Sequence, residues 1–231
     1  MQQLEPFHDR LDAGRCLAQA LGRYAGRADL LVLALPRGGV PVAFPIAQAL
    51  QAELDLLLVR KLGLPHHPEC AMGAIGSGGV RVLQAGVPGL MGVTREEVDA
   101  VIALEQAELA RRERHYRGSR APARLEGRCV IVVDDGIATG STMLAALEVA
   151  RRQRPARLVV AAPVAAPDAL QALCGLADEV VCPVVPTRFR AVGQWYREFG
   201  QTTDEEVQSL LALAWARPPG AVSQFHREEP T

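Results

Sequence analysis

The chain has 231 residues, 49% of them hydrophobic and 22% charged, which is the composition of a folded globular protein with one sizeable core and excludes a disordered chain. Its formal net charge is −1, so there is no global basic field to hold nucleic acid or an anionic membrane, and an anionic ligand must be held locally by a few placed groups. Five scattered cysteines with no CxxC pair read as buried, reduced thiols. The opening MQQLEPFHDR has no basic-then-apolar leader, and no apolar run approaches the roughly 20 residues that span a bilayer, so a cytoplasmic protein is expected.

Leu11, Leu17, Leu21 and Tyr24 recur at helical spacing, which predicts a helix over residues 10–24. Residues 29–35, DLLVLAL, form a continuous apolar run, the pattern of a strand buried on both faces. Pro36-Arg37-Gly38-Gly39 breaks that run, and Val40 to Gln51 reads as a helix. A second buried strand is expected over residues 54–59, ending at Arg60-Lys61. Residues 63–92, rich in Gly, Pro and His, predict a hairpin or mobile excursion with short β pieces at 71–75 and 80–83.

Thr94 and Glu97 make a capping box for a helix running to about Arg117, and residues 120–128 read as a linker. Residues 129–133, CVIVV, are a third buried strand, followed by a glycine loop and a helix to about Arg152. Strand, helix and strand are then expected at 158–164, 167–176 and 179–185. Alternating elements with apolar strands argue an α/β fold, a parallel sheet with helices on both faces. Residues 1–216 read as a single domain and residues 217–231 as a polar tail, with no internal repeat.

The most informative stretch is VIVVDDGIATGST, residues 130–142. The strand delivers Asp134 and Asp135 to its C-terminal end, where ligands bind in open α/β sheets. Gly136 and Gly140 permit a tight turn and close approach of a ligand. Backbone N–H groups at Ser141 and Thr142, with the hydroxyls of Thr139, Ser141 and Thr142, make an anion cradle at the start of the next helix. One loop therefore offers acceptors for sugar hydroxyls and donors for a phosphate. It is not a P-loop, since no lysine follows Gly140.

This stretch resembles the 5-phosphoribosyl 1-pyrophosphate motif of the type I phosphoribosyltransferases. The resemblance implies Asp134 and Asp135 on the ribose hydroxyls, and Ala138, Thr139, Gly140, Ser141 and Thr142 on the 5-phosphate. Gly136 departs from the family pattern, where a larger apolar residue is common, and a slightly more mobile loop is expected from it. LPRGGVPVA, residues 35–43, resembles the family's pyrophosphate loop, giving Arg37, Gly38 and Gly39 to pyrophosphate, with Arg37 able to fork onto phosphate oxygens.

Lys61 is the only lysine against 24 arginines. At the end of the second strand it resembles a basic residue that often reaches pyrophosphate in the family, and a compact ammonium is expected to fit that crowded place where a planar guanidinium does not. The 63–92 segment falls where the family carries a flexible catalytic loop that excludes water. Four of the ten aromatics crowd into residues 188–207, RFRAVGQWYREFGQTTDEEV. This segment, part of a hood at about 186–213, resembles the cover over the nucleobase in purine-using relatives, which makes Phe189, Val192 and Gly193 the acceptor candidates. No acid follows the Val-Gly pair, which weakens a hypoxanthine-guanine assignment.

From about Phe7 to Leu213 the chain is similar to a bacterial subgroup of phosphoribosyltransferase-domain proteins, most without an assigned substrate. The resemblance implies the type I fold with a flexible hairpin loop and a small C-terminal hood. It implies transfer of 5-phosphoribose from its 1-pyrophosphate to a nucleobase-like acceptor, with Mg2+ bound through the substrate and only indirectly by Asp134 and Asp135. A homodimer is a further implication. Two rival readings stand beside it: a regulator that binds the sugar phosphate or a nucleotide without turnover, and phosphorolysis of a nucleotide at the same site.

Overall fold

Two five-residue runs without a polar side chain, LLVLA and CVIVV, can be buried on both faces only at the centre of a sheet. They are β1 (Leu30–Ala34) and β6 (Cys129–Val133), paired in parallel, and every residue of both is buried. The computed structural model describes residues 5–84 and 86–216; the polar tail expected at 217–231 lies outside the described residues. β2 (Glu53–Leu56), β7 (Arg157–Ala161) and β8 (Glu179–Val181) complete a five-stranded parallel sheet of order β2-β1-β6-β7-β8.

Period-two alternation sorts these strands between two cores. Val32, Ala34, Ile131 and Val133 face one core with α1 (Arg10–Ala20), α2 (Gly39–Leu50) and α7 (Asp204–Trp215). Leu31, Leu33, Val130 and Val132 face the other with α5 (Ser141–Arg152) and α6 (Pro167–Leu173). The expected helices on both faces are therefore present. α1 lies close on α2 because Gly14 has no side chain, and a Cβ there would strike the Val42 carbonyl.

The apolar run at 54–59 does not form one strand. It divides into β2 of the parallel sheet and β3 (Val59–Leu64), which begins a separate antiparallel sheet with β4 (His67–Gly76) and β5 (Val80–Leu83). The turn between sheets is held by Ser77: Leu58 N donates to its Oγ at 3.1 Å, and Ser77 N donates to the Leu58 carbonyl at 2.9 Å. Met72, Ala74 and Ile75 of β4 are buried. A short helix, α3 (Val87–Leu90), leads to α4 (Arg95–Arg117), whose capping box at Thr94 and Glu97 is formed as expected.

α7 lies within the stretch read as hood, and its cap is Thr203, which accepts from Glu206 N at 3.1 Å. The helix expected over 10–24 ends at Ala20 and continues as a 3-10 turn at Gly22–Tyr24. Of the cysteines, Cys129 alone is fully buried; Cys182 is half-buried, while Cys16, Cys70 and Cys174 are exposed. The expectation of buried thiols fails for those three, of which Cys16 lies on the outer face of α1, away from buried Ala13, Leu17 and Ala18. Among the described residues no helix is long and apolar enough to cross a membrane.

Candidate functional site

Ala34 and Val133 are register partners at the ends of β1 and β6, so the loops that follow leave the sheet side by side at its C-terminal edge. Leu35 N donates to the Val133 carbonyl at 2.9 Å, extending the pairing into the loops. The two loops touch because residues 38 and 39 lack side chains. A Cβ on Gly39 would lie 2.6 Å from the Val133 carbonyl oxygen, and one on Gly38 would strike the Asp135 carboxylate. The Pro36–Arg37 peptide is cis. Arg37 Nη1 lies 3.7 Å from Asp204 Oδ1, and the two line a cavity of about 310 Å³ with Arg111, Arg112, His115 and Tyr116.

Residues 134–142 wrap a second cavity of about 160 Å³, lined by Asp134 and by residues 136–143. Gly140 takes φ 76°, the left-handed conformation that presents the amides opening α5. Ala138, Thr139 and Thr142 are exposed on this loop, and the Thr139 and Ser141 hydroxyls lie 3.1 Å apart. Asp134 Oδ1 accepts from Asp135 N at 2.9 Å. Desolvation, and then the neighbouring Asp135 charge, push Asp134 well above the usual carboxylate range. Asp135 is also pushed up by desolvation, against the pull of the Arg10 guanidinium.

Lys61 does not end the second strand of the parallel sheet. It lies in β3, opposite Ala74 of β4. From there its Nζ still donates to Ser141 Oγ at 2.6 Å, so the one lysine stands on the phosphate loop. The antiparallel sheet reaches the loop because β3 and β4 pack on α5, where a Cβ on Gly76 would crowd the Val149 side chain.

The hood forms around a small cluster of Phe7, Ala13, Val164, Val184 and Tyr196. Phe189 packs half-buried against that cluster, whereas Phe199 is partly exposed. Val192 sits on Gly136: an added Cβ would lie 2.5 Å from Val192 Cγ1. Gly136 thus makes room for the hood, with Val192 packed where its side chain would be. Gly193 likewise makes room for the Phe199 ring, 2.7 Å from where its Cβ would be.

Two residues at the site were not singled out from sequence. Arg10 Nε donates to Asp135 Oδ2 at 2.8 Å, and the Tyr196 hydroxyl donates to the Asp135 carbonyl at 2.5 Å. The DR pair that opens the first helix and the aromatic cluster were visible, but nothing local links Arg10 to a carboxylate 125 positions away.

Among the described residues, no group of three or more His, Cys, Asp or Glu side chains could hold a metal ion. The site offers two adjacent carboxylates instead, one ion-paired to Arg10. That donor set suits magnesium carried in on a substrate's phosphates and hydroxyls, with the protein contributing at most a carboxylate or two.

A family model described as the phosphoribosyl transferase domain matches residues 1–191. Two Mycobacterium tuberculosis proteins, from strains CDC 1551 / Oshkosh and ATCC 25618 / H37Rv and named "Putative phosphoribosyl transferase" MT0597 and Rv0571c, are each 50% identical over 208 residues, covering 90% of this chain and 47% of theirs. The chain therefore spans about half the length of these curated relatives. The crystal structure of TT1426 from Thermus thermophilus is 45% identical, covers 89% of this chain and 97% of that one, and superposes with a TM-score of 0.81. The chain belongs to the phosphoribosyl transferase family and has its type I fold.

Proposed function

We propose that this member of the family moves 5-phosphoribose from 5-phosphoribosyl 1-pyrophosphate to a ring nitrogen of a nucleobase-like acceptor, releasing pyrophosphate. The observation that carries the reading is the contact of the two glycine loops, with the acid pair and the helix amides in one loop. In this reading the 5-phosphate lies against the amides of residues 138–142, and the ribose hydroxyls meet Asp134 and Asp135. The anomeric carbon–oxygen bond to pyrophosphate breaks as positive charge develops on the sugar, and the two carboxylates stabilise that charge. The acceptor nitrogen then bonds to that carbon, and its proton passes to the departing pyrophosphate or to solvent.

Magnesium, if bound with the sugar phosphate and held indirectly by Asp134 and Asp135, would supply neutralisation of the pyrophosphate charge. Lys61, already on Ser141, adds a compact cation beside the phosphates. The Gly38 and Gly39 backbone approaches the same region, and Arg37 reaches it by leaving Asp204, from which it is separated by a long 3.7 Å contact. Val192, seated on Gly136 beside the acids, is the apolar side chain of the hood placed to meet an aromatic base.

The test is pyrophosphate release from the magnesium-bound sugar phosphate with individual purine and pyrimidine bases, using Asp134→Asn/Asp135→Asn as the blank. Base-dependent release that the double variant loses is expected. Saturable binding without release for any base would replace transfer with the regulator reading.

A further inference from the structure

The carboxylate given to the ribose is already met by a residue of the same chain. Arg10, the first residue of α1, uses each part of its guanidinium differently. Nε donates to Asp135 Oδ2 at 2.8 Å, Nη1 donates to the Gly200 carbonyl at 2.7 Å, and the planar face lies over the Phe199 ring at 4.0 Å. The ion pair is largely shut from water, with side-chain exposures of 13% and 16%. Tyr196 adds its hydroxyl to the Asp135 carbonyl and stacks on Phe199 at 5.0 Å between ring centroids.

The chain just before it is zipped to the hood. Phe7 N donates to the Trp195 carbonyl, Arg197 N to the Phe7 carbonyl and Glu198 N to the His8 carbonyl, at 2.8–2.9 Å. The N-terminal segment, the loop after β6 and the hood therefore meet at one guanidinium.

We propose that Arg10 is a positioning residue that aims the Asp135 carboxylate and ties the seating of the hood to the ribose-binding loop. The proposal rests on the reading that Asp135 holds the ribose. Oδ2 is fenced by Arg10 on one side and by the close Gly38 backbone on the other, which leaves the remaining acceptor capacity for a ligand hydroxyl. An ammonium cannot replace this arrangement, because one point charge cannot reach a carboxylate and a carbonyl while stacking on a ring. Among the described residues, the groups that face Asp135 are Asp134 on its own loop, Arg10 on α1 and the Tyr196 hydroxyl of the hood.

The experiment uses the full chain with Arg10→Lys and Arg10→Met. Without ligand, amide hydrogen exchange is followed at residues 196–198 and, as an internal control, in β6 and β7. Hood amides are expected to exchange about tenfold faster in Arg10→Met with the sheet unchanged. Arg10→Lys, which keeps the charge but loses the fork, is expected in between. With magnesium present, affinity for 5-phosphoribosyl pyrophosphate is expected to fall about tenfold in Arg10→Met and less in Arg10→Lys, while affinity for inorganic phosphate, which meets only the 138–142 loop, stays near wild type. Unchanged hood exchange together with unchanged affinity for the sugar phosphate would overturn the proposal. If the wild type binds no sugar phosphate, the functional reading fails, and the exchange measurement still decides whether Arg10 seats the hood.

Discussion

Replacing Gly136 by alanine tests how the hood sits on the phosphate loop. The new Cβ would lie 2.5 and 2.8 Å from the two γ-methyls of Val192 and 3.2 Å from Val164 Cγ1. Gly136 is not in the left-handed region, so its backbone accepts alanine, and the unfolded chain's lost freedom contributes about 0.4–1 kcal/mol in favour. Overpacking opposes this by about 1–3 kcal/mol. The net expectation is a loss of about 1–2 kcal/mol, which for a chain of this size lowers Tm by roughly 2–4 °C per kcal/mol.

In a Val192→Ala background both close methyls are gone, and only the 3.2 Å neighbour remains. There Gly136→Ala is expected to be neutral or slightly stabilising, an interaction energy of about 1–2 kcal/mol in a double-mutant cycle. Urea midpoints of the four proteins provide the measurement. An equal penalty in both backgrounds would refute the close packing of Val192 on Gly136 as its cause.

Three other perturbations are decisive. Lys61→Arg is expected to lower turnover at least about tenfold, or about 1.4 kcal/mol of barrier, because a planar fork cannot stand where an ammonium meets Ser141 Oγ at 2.6 Å; steady-state rates equal to wild type would remove Lys61 from the site. Asp134 has a folded-state pKa above its unfolded value, so the free protein loses stability as pH rises from the usual carboxylate range through the raised pKa. Asp134→Asn is expected to flatten that slope and to stabilise the free protein at neutral pH, and urea midpoints that keep the wild-type slope would contradict this. Arg117 and Asp55, each with 1% side-chain exposure, pair at 3.2 Å. Arg117→Met alone is expected to cost about 3–5 kcal/mol, and adding Asp55→Asn to cost less than the sum, whereas additive losses in urea unfolding would argue against a coupled pair.

What was legible in the sequence followed from local pattern. β1 and β6 carry no polar side chain, and the Thr94 capping box marks the start of α4 on its own. The acid pair and glycine loop also announce themselves, since they are contiguous. The division between β2 and β3 was hidden because Leu56, Leu57 and Leu58 are all buried and no Gly or Pro marks the change of sheet. α7 had its signal in Thr203 followed by acids at 204–206, but that signal lay inside a stretch dominated by aromatics. Arg10 was beyond reach, because its role depends on a partner, a ring and a carbonyl that only the folded chain brings together.

The most direct test of the account is calorimetric titration of 5-phosphoribosyl pyrophosphate into the protein with magnesium, beside Asp134→Asn/Asp135→Asn at equal folded fraction. The account predicts saturable one-site binding by the wild type that the double variant loses. Binding of equal strength by both proteins would contradict the acid pair as the ribose site, and binding by neither would contradict the two-loop site altogether.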